Sequence, residues 1–168
     1  MTEKKTTIID LSIPIEHEAP GEPFPGRVQY MDHREGAAHL GGFGDVPAEE
    51  FPGGMGLAWE EVTAITHTGT HLDAPLHFGP ESEGAPSKTI DQVPLEWCFG
   101  DGVVLDLTHL PAGEFITVAH LEEALKRIGY EIKPMDIVLL HTGADKKWGT
   151  AEYLGAHPGM SREATLWL

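Results

Sequence analysis

Eleven residues constrain this chain more than any others: His67-Thr68-Gly69-Thr70-His71-Leu72-Asp73-Ala74-Pro75-Leu76-His77. Three of the ten histidines fall in this window, with one aspartate, where even scattering would put fewer than one histidine. Histidine and carboxylate together are the ligand set of many catalytic metals. The spacing restricts the backbone. His67, His71, Asp73 and His77 occupy odd positions and would share one face of a flat strand. Such a strand would hold His67 and His71 about 13 Å apart. Ligands ~2.0–2.2 Å from one ion lie only a few ångströms from each other. A helical turn brings residues i and i+4 together, but Thr68, Gly69 and Thr70 are poor helix formers. What remains is a curled loop. Gly69 can take the angles a curl needs, and Pro75 pushes Ala74 into an extended shape. We therefore expect a strand ending near Thr66, then a loop in which His67, His71 and Asp73 converge.

On spacing alone two readings stay open. One is a polar surface loop that happens to hold histidines. The other is a metal site with His67, His71 and Asp73 as ligands and His77 as a base or a further ligand. Three protein ligands leave a coordination position for water, which marks a catalytic site rather than a structural one.

The complete pattern His-x-Gly-Thr-His-x-Asp-x-Pro-x-His, running from His67 to His77, resembles the signature of the cyclase family of metal-dependent hydrolases. That family includes bacterial kynurenine formamidase (arylformamidase) and isatin hydrolase. Asp10-Leu11-Ser12-Ile13-Pro14-Ile15 is similar to the family's opening strand. Ile137-Val138-Leu139-Leu140-His141-Thr142-Gly143 resembles its later strand ending in Thr-Gly, and His157-Pro158-Gly159-Met160-Ser161 its His-Pro-Gly segment.

The resemblance implies an α/β fold of the swivelling β/β/α type, with a mixed sheet core and flanking helices, as a single domain over 1–168. It implies a divalent metal, Zn²⁺ or Mn²⁺, held by His67, His71 and Asp73. Spacing cannot choose between the two ions. The implied reaction is hydrolysis of a small-molecule amide, formamide, lactam or ester by metal-activated water. His77 is then the catalytic base, or else hydrogen-bonds Asp73 and orients it. Family chains form homodimers or homotetramers, often with N-terminal segments reaching a neighbour's site. They also continue for several tens of residues beyond the point matched by Leu168. That continuation supplies a further strand and, in the kynurenine formamidase branch, a distal histidine and glutamate for a second metal position. Neither can be carried onto this sequence. The chain is accordingly expected to be a fragment, or one of two pieces with a separate C-terminal segment as partner. The competing reading is a metal-binding subunit or inactive fragment without catalysis.

Composition excludes other classes. The net charge is −16, from 27 acidic and 11 basic residues. Such a chain repels phosphate backbones, so nucleic acid is not an expected partner; Lys126, Arg127, Lys133, Lys146 and Lys147 are too few to make a basic patch. No apolar run approaches the ~18 residues of a membrane span, and Met1 to Thr7 carries no apolar signal core. Cys98 is the single cysteine and cannot form an internal disulfide, which fits a reducing cytoplasm. Between Trp97 and Phe99 it reads as a small buried residue. No Gly-x-Ser-x-Gly is present to support a serine nucleophile.

Along the chain, Ile8 to Ile13 reads as a first strand, and Ala19 to Gly26, with three prolines, as a loop or extended arm. Gly36 to Gly56 holds seven glycines and reads as a loop, flexible or lid-like, with His33 and His39 as surface histidines beside it. Trp59 to Thr66 alternates as a strand should. Phe78 to Lys88 carries turn chemistry. Gly102 to Leu107 and Met135 to Leu140 read as strands, the second apolar on both faces and so central in its sheet. Between them Val118, Leu121, Leu125 and Ile128 recur at helical spacing, with Thr117 as N-cap, Gly129 as stop and His120 facing solvent. The order strand, helix, strand predicts a parallel crossover. His141, at the end of the last strand, is a candidate pocket residue by position. Ser161 reads as the N-cap of a short final helix.

Overall fold

The structure, a computed structural model, describes residues 6–168; the lysine-bearing start lies outside these described residues. The fold is mixed α/β with small sheets and few helices. It divides into two compact units, one ending at His71 and one beginning at Leu72.

In the first unit, Ile8 to Ile13 is not a strand: no ladder forms there among the described residues. The backbone groups have other partners. Asp10 accepts from the N–H and hydroxyl of Ser12, at 2.9 and 2.6 Å, and the N–H of Ile13 donates to Thr70 Oγ1 at 2.9 Å. Ala19 to Gly26 is a loop, as its prolines require, but it closes on itself instead of extending. Glu18 N–H donates to Gly26 O at 2.8 Å across its mouth. The chain then forms β1 (Arg27–Met31), which the sequence reading did not anticipate. It pairs antiparallel with β2 (Trp59–Thr63), with Arg27 opposite Thr63 and Met31 opposite Trp59. β2 ends three residues before the expected Thr66.

The glycine-rich stretch is also corrected. It begins as α1 (His33–Gly44), opened by a capping box in which Asp32 accepts from the N–H groups of Arg34 and Glu35 and the Glu35 side chain accepts from the N–H of Asp32. Several of its glycines serve packing, not flexibility. A Cβ on Gly36 would stand 1.8 Å from the carbonyl oxygen of Leu57, and one on Gly41 would stand 2.3 Å from that of Val46. Two backbones approach this helix too closely for any side chain. His33 and His39 are tied into the same packing: His33 Nδ1 lies 2.9 Å from Gly56 O, and the His39 ring meets Phe43 and Trp59 edge-on.

The second unit opens with α2 (Pro75–Phe78), begun by Pro75 after an extended Ala74. A minimal hairpin follows, β3 (Glu81–Ser82) against β4 (Ala85–Pro86), turned by Glu83 and Gly84, both at positive φ. Cys98 ends a 3-10 turn over Leu95–Cys98 and is exposed, contrary to the buried role expected of it; its apolar neighbour Phe99 is exposed as well.

The core of this unit is the expected crossover. β5 (Gly102–Asp106) is followed by β6 (Phe115–Ile116), α3 (Val118–Ile128) and β7 (Ile137–His141), and β5 pairs parallel with β7 in register, Val104 beside Leu139. Thr117 caps α3 and Gly129 ends it at φ 65°. Leu121, Ala124 and Leu125 bury the face that meets Val103, Leu105 and Leu107, at roughly 1.5–3 kcal/mol for each large apolar side chain removed from water. Two details differ from expectation. His120 does not simply face solvent: its Nδ1 accepts from Thr117 N–H at 3.2 Å, completing the cap. And β7 is not central, since among the described residues its sheet has two strands. Finally β8 (Gly159–Met160) pairs parallel with β6, and α4 (Arg162–Trp167) starts at the expected cap, Ser161.

Gly36→Ala should destabilise the protein by about 1–3 kcal/mol, because the carbonyl of Leu57 must move. Gly42→Ala, with nothing within 4 Å of the added Cβ, should stabilise it by about 0.5–1 kcal/mol. Urea unfolding midpoints separate the two. The two N–H donors hold the Asp32 carboxyl below its ordinary range. A folded pKa below the unfolded one means that the cap contributes fully above the ordinary aspartate value and is lost as pH falls through the lowered one. Amide protection factors in α1, corrected for intrinsic exchange at each pH, should therefore fall on acidification in that window, and Asp32→Asn should remove this dependence.

Candidate metal centre

After β2 the chain leaves the ladder and curls. Gly69 sits at φ 70°, a left-handed conformation that costs a glycine little and other residues more. The curl reverses the chain within four residues, so His67 Nδ1 and His71 Nε2 lie 3.2 Å apart. Asp73 follows two residues later, outside any helix or strand. His67, His71 and Asp73 each offer one ligand atom, and these atoms all lie within 4.8 Å of one another. His67 and Asp73 are half-buried and His71 is exposed. The three residues expected to converge do so in the curled loop expected of them.

Three residues separate the two histidines, and each is held from earlier in the chain. The half-buried loop before β1 supplies most of the contacts. The hydroxyl of Thr68, a buried residue, donates to Phe24 O at 2.9 Å, and Gly69 N–H donates to Glu22 Oε2 at 3.0 Å. Thr70 Oγ1 accepts from Ile13 N–H at 2.9 Å. Sequence reading missed Ile13, Glu22 and Phe24 in this role. Pairings across 44 to 57 positions leave no local pattern to find.

The donor set suits a cation. His71 Nδ1 stands 2.7 Å from Gly69 O. A carbonyl oxygen only accepts, so Nδ1 carries the proton and Nε2 of the neutral ring holds a lone pair. That lone pair faces His67 Nδ1. Two imidazole nitrogens bound tetrahedrally to one zinc-sized ion, each ~2.0–2.1 Å from it, stand ~3.3 Å apart. The observed separation of 3.2 Å is close to that value. Without an ion, the same distance fits a His67 Nδ1–H donating to His71 Nε2. Two neutral imidazoles and a carboxylate are borderline-to-hard donors, suited to Zn²⁺ or Mn²⁺.

His77 is not one of the three. It lies on α2, exposed, with its ring edge-on to Phe78 at 5.0 Å, and its N–H donates to Ala74 O at 2.9 Å. His141, at the end of β7, is exposed, with Nε2 3.8 Å from Asp145 Oδ1. His157 folds Nδ1 onto Pro158 O at 3.1 Å, in the segment that leads into β8.

Residues 9–168 match the model of the Cyclase family, so the chain belongs to that family. Its fold is similar to a crystal structure of a novel cyclase, with a TM-score of 0.65 and 23% sequence identity, over 94% of this chain and 60% of that one. It is also similar to the crystal structure of an isatin hydrolase bound to the product analogue thioisatinate, with a TM-score of 0.59 and 19% identity, over 84% of this chain and 52% of that one. At these identities the likeness is one of fold, and the chain matches little more than half the length of either protein. No curated protein matches the chain in a sequence comparison. No helix among the described residues is long and apolar enough to cross a membrane.

His71→Ala and Asp73→Ala should each weaken Zn²⁺ or Mn²⁺ binding by more than the roughly 10–100-fold typical of losing a supporting partner. Competition with a chromogenic chelator measures this. Wild-type affinity in both variants would mean that these side chains are not ligands.

Proposed function

We propose that this chain carries the metal centre of a metal-dependent hydrolase that cleaves the C–N bond of a small amide, formamide or lactam, in the manner of an arylformamidase or isatin hydrolase. Esters are a further substrate class. The observation that carries the reading is the convergence of His67, His71 and Asp73 on one curled loop, in a chain of the Cyclase family. The fold likeness to an isatin hydrolase adds support. The finer architecture we propose is the swivelling β/β/α domain.

His67 and His71 would hold the ion through ring nitrogens and Asp73 through a carboxylate oxygen. Zn²⁺ and Mn²⁺ are both candidates. Such an ion supplies Lewis acidity, polarising a carbonyl and acidifying water. The chain's own contribution is to fix the ligands and to move protons. Gly69 O keeps the His71 proton on Nδ1 and so turns the other nitrogen's lone pair towards His67. His77 stands four residues beyond Asp73, at the end of the same motif. In the proposed reaction its ring accepts a proton from the attacking water as the water oxygen bonds to the carbonyl carbon. It then returns that proton to the leaving nitrogen as the C–N bond breaks.

We further propose that the protein acts as a homodimer or homotetramer in the cytoplasm, possessing no affinity for nucleic acid at a net charge of −16. A separate C-terminal segment is a further partner that we propose.

The test is metal loading followed by an assay against N-formylkynurenine, isatin and a panel of simple amides and esters. Turnover that depends on added metal is the expected result. Metal uptake with no turnover of any panel member would favour a non-catalytic metal-binding subunit. His77→Ala should keep wild-type metal affinity and lower kcat by about 10²–10⁴-fold, the usual range for a general acid–base group. An equal loss of metal would make His77 a ligand instead.

A further inference from the structure

We propose that Glu22 is a positioning residue, acting through Gly69 to keep His71 in the tautomer that presents Nε2 to a cation. The inference rests on the reading of His71 as a ligand. It concerns a residue that lies outside the metal motif, 47 positions before the glycine it contacts.

Two hydrogen bonds lie on either side of one flexible residue. Glu22 Oε2 accepts from Gly69 N–H at 3.0 Å. Gly69 O accepts from His71 Nδ1 at 2.7 Å. Between the two bonds lies the Gly69 backbone at φ 70°. Glycine exchanges readily between left-handed and other conformations, so the direction of its carbonyl is not fixed by its own sterics. Glu22 anchors the peptide plane that enters Gly69; the carbonyl lies on the next plane, and anchoring the first narrows the rotations by which it can leave His71. If the carbonyl swings away, its hold on the Nδ1 proton is lost, and the ring can move that proton to Nε2. The lone pair that faces His67 Nδ1 is then lost.

Two further features suit Glu22 to this task. Its own backbone is anchored, since Glu22 N–H donates to Ala19 O at 3.2 Å inside the loop that Glu18 and Gly26 close. And of the groups that hold residues 68–70, the Ile13 N–H, the Phe24 carbonyl and the Glu22 carboxylate, only the last is ionisable. A carboxylate accepting from a backbone N–H makes roughly twice as strong a bond as a neutral acceptor. The strongest tie therefore falls on the least rigid of the three residues.

The experiment compares full-length Glu22→Ala, Glu22→Gln and His71→Ala with the wild type. The readouts are ¹⁵N chemical shifts of the His71 ring in metal-free protein and Zn²⁺ and Mn²⁺ affinity by chelator competition. Wild type should show protonated Nδ1. Glu22→Ala should show a mixture of tautomers and bind metal about 10–100-fold more weakly, as for other lost supporting partners. Glu22→Gln still offers an oxygen to Gly69 N–H; it should keep the wild-type tautomer and lose no more than about threefold in affinity, since its bond is weakened, not removed. A Glu22→Ala protein with wild-type tautomer and affinity overturns the proposal, as does a Glu22→Gln protein as impaired as Glu22→Ala. If Glu22→Ala does not fold, Glu22→Met keeps the side chain's length without the acceptor and is read the same way. His71→Ala separates this proposal from the one beneath it. Undiminished metal binding there removes His71 from the ligand set, whereas lost binding there with an intact Glu22→Ala removes only Glu22.

Discussion

Two imidazoles four residues apart meet at 3.2 Å because the chain turns back on itself at Gly69. The candidate centre depends on that reversal. An extended backbone would separate the rings by about 13 Å, and a regular helix would have to be built from threonine and glycine, which favour it poorly. A left-handed glycine makes the turn at little steric cost, but glycine alone does not hold a turn. The holding comes from outside the loop: from Phe24, Glu22 and Ile13, one for each residue between the two histidines. In the N-terminal segment the Ile13 N–H goes to this loop and the Ser12 N–H to Asp10, and Ile8 to Ile13 forms no ladder among the described residues.

Elsewhere the chain solves an ordinary problem in an ordinary way. In the second unit a parallel strand pair needs a crossover, and a crossover helix needs one apolar face. Val103, Leu105 and Leu107 from the strand side meet Leu121, Ala124 and Leu125 from the helix. Polar ties close the ends of these elements. Lys133 Nζ bonds Asp101 at 2.6 Å, and Asp136 accepts from Tyr130 and from the N–H of Lys133, so the connection into β7 is pinned to the start of β5. The Lys133 ammonium is held well above its usual range, first by the Asp101 carboxylate.

How legible each element was follows from how local its causes are. α3 was readable to the residue because its cap, apolar spacing and terminal glycine lie within thirteen consecutive positions. β5 and the cap of α4 were readable for the same reason. α1 was not. Its glycines argue against a helix by propensity, and the fact that overrules them is the passage of the Leu57 and Val46 backbones against Gly36 and Gly41. β1 was missed because Arg27 to Met31 has a single buried side chain, Val28, and owes its conformation to pairing with β2. Cys98 was misplaced because flanking aromatics suggested a core that does not form around it.

The sequence by itself determined the donor chemistry and the need for a curl. Those follow from residue types and spacing within eleven positions, where bond lengths and the reach of the chain leave few alternatives. Tertiary structure decided which nitrogen of His71 faces His67 and what holds the curl in place. Those depend on a carbonyl direction at a residue with almost no intrinsic preference, and on partners up to 57 positions away. A one-dimensional pattern carries no record of such meetings. Only the folded backbone brings the N-terminal loop to the three residues that need it.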